Sequence, residues 1–404
     1  MSEWCGTKVP VKIPRHIEYK PKPVKDTLST MKNLSSLMID LAYYSIVYND
    51  KRLAFEVLRL EDYIDELWVL LAMQASLAAR DAEDAESMLS ILKLASSTNK
   101  LSDAAADIAI LPIIGIKPHI AIRAAILYSD EVVSKIEIKN GSRVANKSIE
   151  VLFSELGIAL DIIALRRRHR WYISPDPDFK LKKGDILIVR GSKETVKVLR
   201  EYVKDKVPLE EDLKPAPMDT RFALELANLK NLSELMIDLA YLSVLTNDKD
   251  AAMEVLELEE YMDSKHLEVA EDIIESFRNT SANEIIGLLR VIEGFETISD
   301  AAAEIAGIVI SDIPPHPILR EIEKEAEERV LKVPILKDMI GKTLSELSLD
   351  RVGANILAIK RRGKWIVDPS PECKLEKGDI LILKCYEEGL EQLIKILKLS
   401  TEKM

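Results

Sequence analysis

The chain says almost the same thing twice, and the length of the repeat decides what it can fold into. NLSSLMIDLAYYSIVYNDKRLAFEVLRLEDYID begins at Asn33, and NLSELMIDLAYLSVLTNDKDAAMEVLELEEYMD begins 198 residues later at Asn231. LSDAAADIA from Leu101 returns as ISDAAAEIA from Ile298, and Asp161 to Arg190 aligns without a gap on Asn355 to Lys384. A period near 200 residues lets each copy own a core, so the repeat is a domain duplication and not a short-period solenoid.

Composition narrows the class. With 404 residues, 47% apolar and 31% charged, the chain can bury several cores. It contains no uncharged apolar run of about 18 residues, no signal segment and no lipidation motif, so a soluble, cytoplasmic protein is expected. Cys5, Cys373 and Cys385 follow neither a metal-knuckle nor a disulfide spacing and read as reduced thiols. A formal charge of -12 argues against nucleic-acid or anionic-membrane partners. A local basic patch can still act within a screening length of about 8 Å.

Each copy changes its hydrophobic period part-way along. Residues 1–23, with prolines at 10, 14, 21 and 23, read as an extended arm, and residues 206–219 as a linker. Apolar residues at helical spacing (Val57, Leu60, Ile64, Leu67, Leu71) predict helices over 24–49, 51–80 and 84–111, and a further helix after Pro118-His119 and Pro315-His316. Strand-like runs follow at 135–138, 161–166, 171–174 and 186–190, and again at 330–333, 355–360, 365–368 and 380–384, with helices over 147–155 and 193–202. Gly184-Asp185 and Gly378-Asp379 supply the turn before each last strand. The expected fold class is α+β multidomain: two tandem units, each an antiparallel helical bundle (24–131 and 220–326) followed by a small α+β domain (132–205 and 327–400). A domain of about 70 residues has little core of its own, which predicts pairing within the chain or in a homodimer.

The helical part carries Glu61 and Asp65 with Asp103 and Asp107, then Glu259 and Asp263 with Asp300 and Glu304. In these paired carboxylate motifs it resembles the PhoU family. The α+β part, through IIALRRRHRWYISPDPDFKLKKGDILIVRG from Ile162 and ILAIKRRGKWIVDPSPECKLEKGDILILKC from Ile356, resembles the C-terminal domain of TrkA-type potassium-transport regulators, the RCK C-terminal domain. The resemblance implies an accessory protein of cation transport whose RCK-type domains dimerise and hold a regulatory ligand. No G-x-G-x-x-G follows a strand, so the nucleotide-binding lobe of a complete TrkA subunit is missing, and transport itself belongs to another polypeptide.

Spacing then bears on the carboxylates. Residues four apart share a helix face, and Asp65 is level with Asp103 and Glu61 with Asp107 if the hairpin turns near residue 84, in DAEDAE. The second copy needs a turn near residue 281 or 282, beside RNTSAN. Four carboxylates placed together repel, and cations, protons or solvent must offset that. Oxygen donors suit magnesium, manganese, calcium or iron; the competing reading is a solvated polar face, with Arg123 or Arg320 as partners.

A second candidate site is basic. Arg166, Arg167 and Arg168 beside Trp171, and Lys360, Arg361 and Arg362 beside Trp365, sit at hairpin tips where they could hold a nucleotide-type anion by ion pairing and stacking. The alternative is a solvated tip; because these are turn positions, Arg167→Gln and Arg361→Gln are expected to disturb the sheet little in either case. His119 and His316 read as helix-start residues. With no hydrolase, kinase or metalloprotease motif the chain is not expected to be an enzyme. The expected function is a ligand-sensing regulatory subunit acting on a membrane potassium transporter or channel. A PhoU-like metal-binding regulator of phosphate uptake is the alternative, and a carboxylate-metal enzyme the second.

Overall fold

The computed structural model describes residues 19, 22–116, 119–128, 131–139, 142–157, 160–168, 170–203, 220–278, 280–311, 316–319, 328–367 and 369–397. Most of the expected arm, the linker, Cys5, His169 and Arg320 lie outside the described residues. In the first copy the elements run α1 (Val24–Val47), α2 (Lys51–Ala78), α3 (Ala82–Ile113), α4 (Ile120–Tyr128), β1 (Glu131–Glu137), α5 (Ile149–Leu156), β2 (Asp161–Arg167), β3 (Arg170–Ile173), β4 (Ile186–Ser192) and α6 (Lys193–Val203). The second copy follows with α7 (Thr220–Thr246), α8 (Lys249–Ser276), α9 (Ala282–Ile310), β5 (Glu328–Pro334), α10 (Leu344–Leu347), β6 (Ala354–Arg361), β7 (Lys364–Val367), β8 (Ile380–Tyr386) and α11 (Glu387–Leu397).

The first helix boundary of each bundle is written in a repeated Asn-Asp pair. Asn49 and Asn247 take left-handed φ values of 50° and 52°, a region asparagine tolerates, and end α1 and α7. The next residue starts the next helix. Asp50 accepts hydrogen bonds from the Arg52 and Leu53 amides at 3.0 and 3.2 Å, and Asp248 from the Asp250 and Ala251 amides at 3.0 and 3.1 Å. The turn between α2 and α3 falls at 79–81, ahead of the expected centre near residue 84, because Asp81, the first residue of DAEDAE, caps α3 through the Asp84 amide at 2.9 Å. Ser281 caps α9 in the same way through the Glu284 amide, so the second turn ends at the position expected for its centre.

The chain divides into two compact units, one holding the helices α1–α4 and α7–α9 of both copies and the other both sheets. In the helical unit α1, α2 and α3 pack on one another, α7, α8 and α9 do likewise, and α3 packs against α9. Of the expected apolar stripe, Leu60 is half-buried and Val57, Ile64, Leu67 and Leu71 are buried. Each such side chain contributes about 2 kcal/mol of transfer free energy. Gly294 lets α9 approach α3, since a Cβ there would lie 2.6 Å from Ile108 Cδ1. The copies also exchange contacts reciprocally. Lys32 lies 5.3 Å from the Tyr241 ring centre, and its counterpart Lys230 lies 5.2 Å from that of Tyr43.

The second unit holds two antiparallel sheets, ordered β1-β4-β2-β3 and β5-β8-β6-β7. Both carry a register shift at the same place, between residues 161 and 164 on β2 and between 356 and 358 on β6. Val196, Leu199 and Val203 of α6 pack into the first core with Ile136, Leu187 and Val189; Leu393 and Leu397 of α11 pack into the second with Leu381 and Leu383. α6 also packs against residues 349–352 of the second copy. The tip of β6–β7 is Arg362-Gly363 with φ of 53° and 79°, and Arg168 takes 57° in the first copy, as a two-residue hairpin turn requires.

Candidate functional site

The carboxylates converge in each bundle, but in a register one helical turn from the expected one. Because the α2–α3 turn comes early, Glu61 is level with Asp103, and Asp65 with Asn99, whose Nδ2 donates to Asp65 Oδ1 at 3.1 Å. Among the described residues, Glu61, Asp65 and Asp103 offer carboxylate oxygens within 4.8 Å of one another, as do Glu259, Asp263 and Asp300. Two oxygens bound at about 2.4 Å on opposite sides of one cation are separated by about that span, so each triad has the reach to share an ion. Glu61 is 5% exposed whereas Asp103 is exposed, so the first triad runs from the core stripe out to solvent.

Asp107 and Glu304, expected as fourth members, are not brought into the triads. Glu304 is engaged across the copies, accepting from Lys100 Nζ and from Ser97 Oγ at 3.0 Å. The fourth position is Asn99 in copy one and Glu296 in copy two. Sequence reasoning missed both, although the turn at Asp81 and the i−4 relation to Asp103 and Asp300 would have located them.

The charge in the second cluster has measurable consequences. Glu259 titrates above its ordinary value of 4.5, first because it is partly buried and then because Asp263 and Asp300 face it. Glu296 and Asp300 are raised too, by burial first and then by the neighbouring carboxylates, with Lys100 partly offsetting the shift at Asp300. Since the folded form then binds more protons than the unfolded chain, stability should rise as pH falls from 7 toward 4.5, until the unfolded chain protonates as well. These groups are partly solvated, so the gain should stay below about 1 kcal/mol per carboxylate. Urea unfolding across that pH range should show the slope, and Glu259→Gln with Asp263→Asn, or added manganese, should flatten it. A slope that survives both changes would place its origin outside the cluster.

At the hairpins the structure gives the central arginines other work. Arg167 donates Nε to Asp185 Oδ1 at 2.8 Å and a terminal N–H to Asp185 Oδ2 at 2.7 Å, and bonds the Lys180 carbonyl at 2.7 Å. Arg361 repeats this on Asp379 at 2.9 and 2.7 Å and adds Glu376 at 3.0 Å. Both aspartates have side chains only 1% exposed. The forks expected to grip an anion are therefore filled by buried carboxylates of the Gly-Asp turns, so these positions are structural and not freely replaceable turn tips. The spacing of 18 residues in both copies was the available signal. Arg166 and Lys360 lie 5.3 and 5.4 Å from the ring centres of Trp171 and Trp365. Arg168 is exposed, and exposed Arg362 reaches Glu376 at 2.9 Å.

His119 does act at a helix start, that of α4, whereas the helix expected after Pro315-His316 lies outside the described residues beyond Leu319. His119 Nδ1 accepts from the Ala121 amide at 3.2 Å, and burial lowers its pKa against the opposing pull of Glu284. His316 Nδ1 accepts from the Ile318 amide at 3.2 Å.

A PhoU domain model matches residues 28–111 and 226–309, and a TrkA-C domain model matches residues 133–204 and 330–398. The chain carries two PhoU domains and two TrkA-C domains. Both triads lie in the PhoU domains and both arginine–aspartate locks in the TrkA-C domains. Among solved structures, PhoU from Pseudomonas aeruginosa is similar over 71% of this chain and 93% of its own, at 14% identity and a TM-score of 0.42. The phosphate transport system regulatory protein PhoU from Streptococcus pneumoniae covers the same shares at 11% identity and a TM-score of 0.35. The GsuK RCK domain is similar over 78% of this chain and 79% of its own, at 14% identity and a TM-score of 0.18. No curated protein matches the chain. The PhoU and TrkA-C domain families are regulatory, and their joint presence is that of a regulatory protein.

Proposed function

We propose that this chain is a regulatory subunit of cation transport, potassium in particular, acting on a separate membrane transporter or channel. The observation that carries the reading is the joining of a PhoU domain to a TrkA-C domain twice in one chain, with like domains gathered into one unit each. No helix among the described residues is long and apolar enough to cross a membrane, which fits a subunit that acts on another polypeptide. The TrkA-C domains are the sensing part. A ligand there biases their arrangement by no more than its difference in affinity for the two states, and the PhoU domains relay that bias to the partner.

The carboxylate triads favour a second reading, a metal-binding regulator of phosphate uptake. In it the triads hold a hard cation whose charge cancels their repulsion. One experiment separates the two. Removing the chain from its own cells should change rubidium uptake, a tracer for potassium, at least threefold and leave phosphate uptake unaltered. The reverse pattern would favour the phosphate reading, and no change in either would overturn both.

A further inference from the structure

Helix α8 differs from its counterpart α2 where the fold does not require it to. α2 carries five acidic and three basic residues, and α8 carries ten acidic residues and two lysines. One of those lysines, Lys265, is taken by Glu268 at 2.5 Å. Four large apolar side chains stand exposed among the acids of α8: Met253 at 46%, Tyr261 at 52%, Leu267 at 64% and Ile274 at 55%. At 100° per residue they fall within about 140° of the helix circumference, and Glu257, Glu260, Glu271 and Glu275 lie in the same sector. An apolar stripe inside a dense negative field is costly to leave in water and repels anionic surfaces, so nucleic acid and anionic lipid do not fit it.

The duplication indicates what does fit. On α2 the edge of the equivalent sector that carries the tyrosine is already met by the chain itself: Lys22 places its ammonium 5.9 Å from the centre of the Tyr63 ring, and its carbonyl accepts from Gln74 Nε2. Tyr63 and Gln74 correspond to Tyr261 and Asp272. The tyrosine platform for a cation is thus retained in the second copy. A carboxylate replaces the amide, so the occupant must bring donors and positive charge.

We propose that the outward face of α8 is a docking surface for a lysine- or arginine-rich segment of a separate polypeptide, with apolar residues between its charges that cover Tyr261, Leu267 and Ile274. The inference stands whether or not that partner is a cation transporter. Its test is fluorescence anisotropy of the full chain against a labelled synthetic 18-residue peptide in which lysines and leucines alternate in pairs. Leu267→Ser with Ile274→Ser should weaken binding at least tenfold, as should Glu257→Lys with Glu271→Lys. Phe55→Ser on α2 should leave binding unchanged. All of these side chains are exposed, so the variants should keep the fold. The proposal is overturned if the peptide does not bind at 100 μM (an order-of-magnitude ceiling for a weak specific contact, ~5 kcal/mol), if neither α8 double substitution weakens it, or if a peptide with serine in place of every leucine binds equally well.

Discussion

Replacing Arg361 with glutamine should destabilise the second TrkA-C domain by about 3 kcal/mol, because it strands Asp379 in a site that excludes water. Burial by itself would raise the Asp379 pKa. The Arg361 fork, the Glu376 amide at 2.8 Å and the positive charge of Arg361 and Arg362 more than reverse this and hold it below its ordinary value of 3.8. A carboxylate depressed in this way stabilises the fold fully above its unfolded pKa, and the contribution is lost as pH falls through the lower folded value. Urea unfolding should therefore show a large loss at pH 7 in Arg361→Gln and a smaller one near pH 2. Arg361→Lys keeps the charge without the planar fork and should fall between. Arg167→Gln should likewise destabilise the first domain at pH 7, because the Asp185 side chain it leaves behind is equally buried. A loss below about 1 kcal/mol at pH 7 would show that the pair is solvated and that the hairpin tip is a tolerant surface.

Enlarging Gly294 to leucine should cost the helical unit about 3 kcal/mol, since even a Cβ at this position meets Ile108 Cγ1 at 2.7 Å and Ile108 is wholly buried. The helix propensity gained by removing a glycine, about 1 kcal/mol, is too small to offset the clash. Ile108→Ala by itself opens a cavity and should cost roughly as much. Combining the two exchanges volume across the α3–α9 contact, so the double variant should be more stable than the sum of the singles by at least about 1 kcal/mol. Additive losses would mean that α3 and α9 do not meet at this pair in solution.

Much of the architecture was legible because it rests on local chemistry. The repeat announced two equivalent units, the switch from helical to alternating period placed the bundle ahead of the sheet, and the Asn-Asp and Gly-Asp pairs marked turns through capping and φ preferences that act within a few residues. The motifs that resembled PhoU and TrkA-C domains were matched in both copies. What stayed hidden depended on distances between residues far apart in sequence. Which carboxylates share a cluster follows from where Asp81 and Ser281 end the two interhelical turns, and a pairing shifted by one helical turn replaces Asp107 and Glu304 by Asn99 and Glu296 as the level partners. An arginine at a hairpin tip looks the same in sequence whether it faces water or a carboxylate. Only the folded sheet, by bringing the Gly-Asp turn against the tip, commits Arg167 and Arg361 to Asp185 and Asp379. Local preference is written residue by residue, whereas the pairing of charges across elements is decided by packing, where burial makes an unpartnered carboxylate too costly to tolerate.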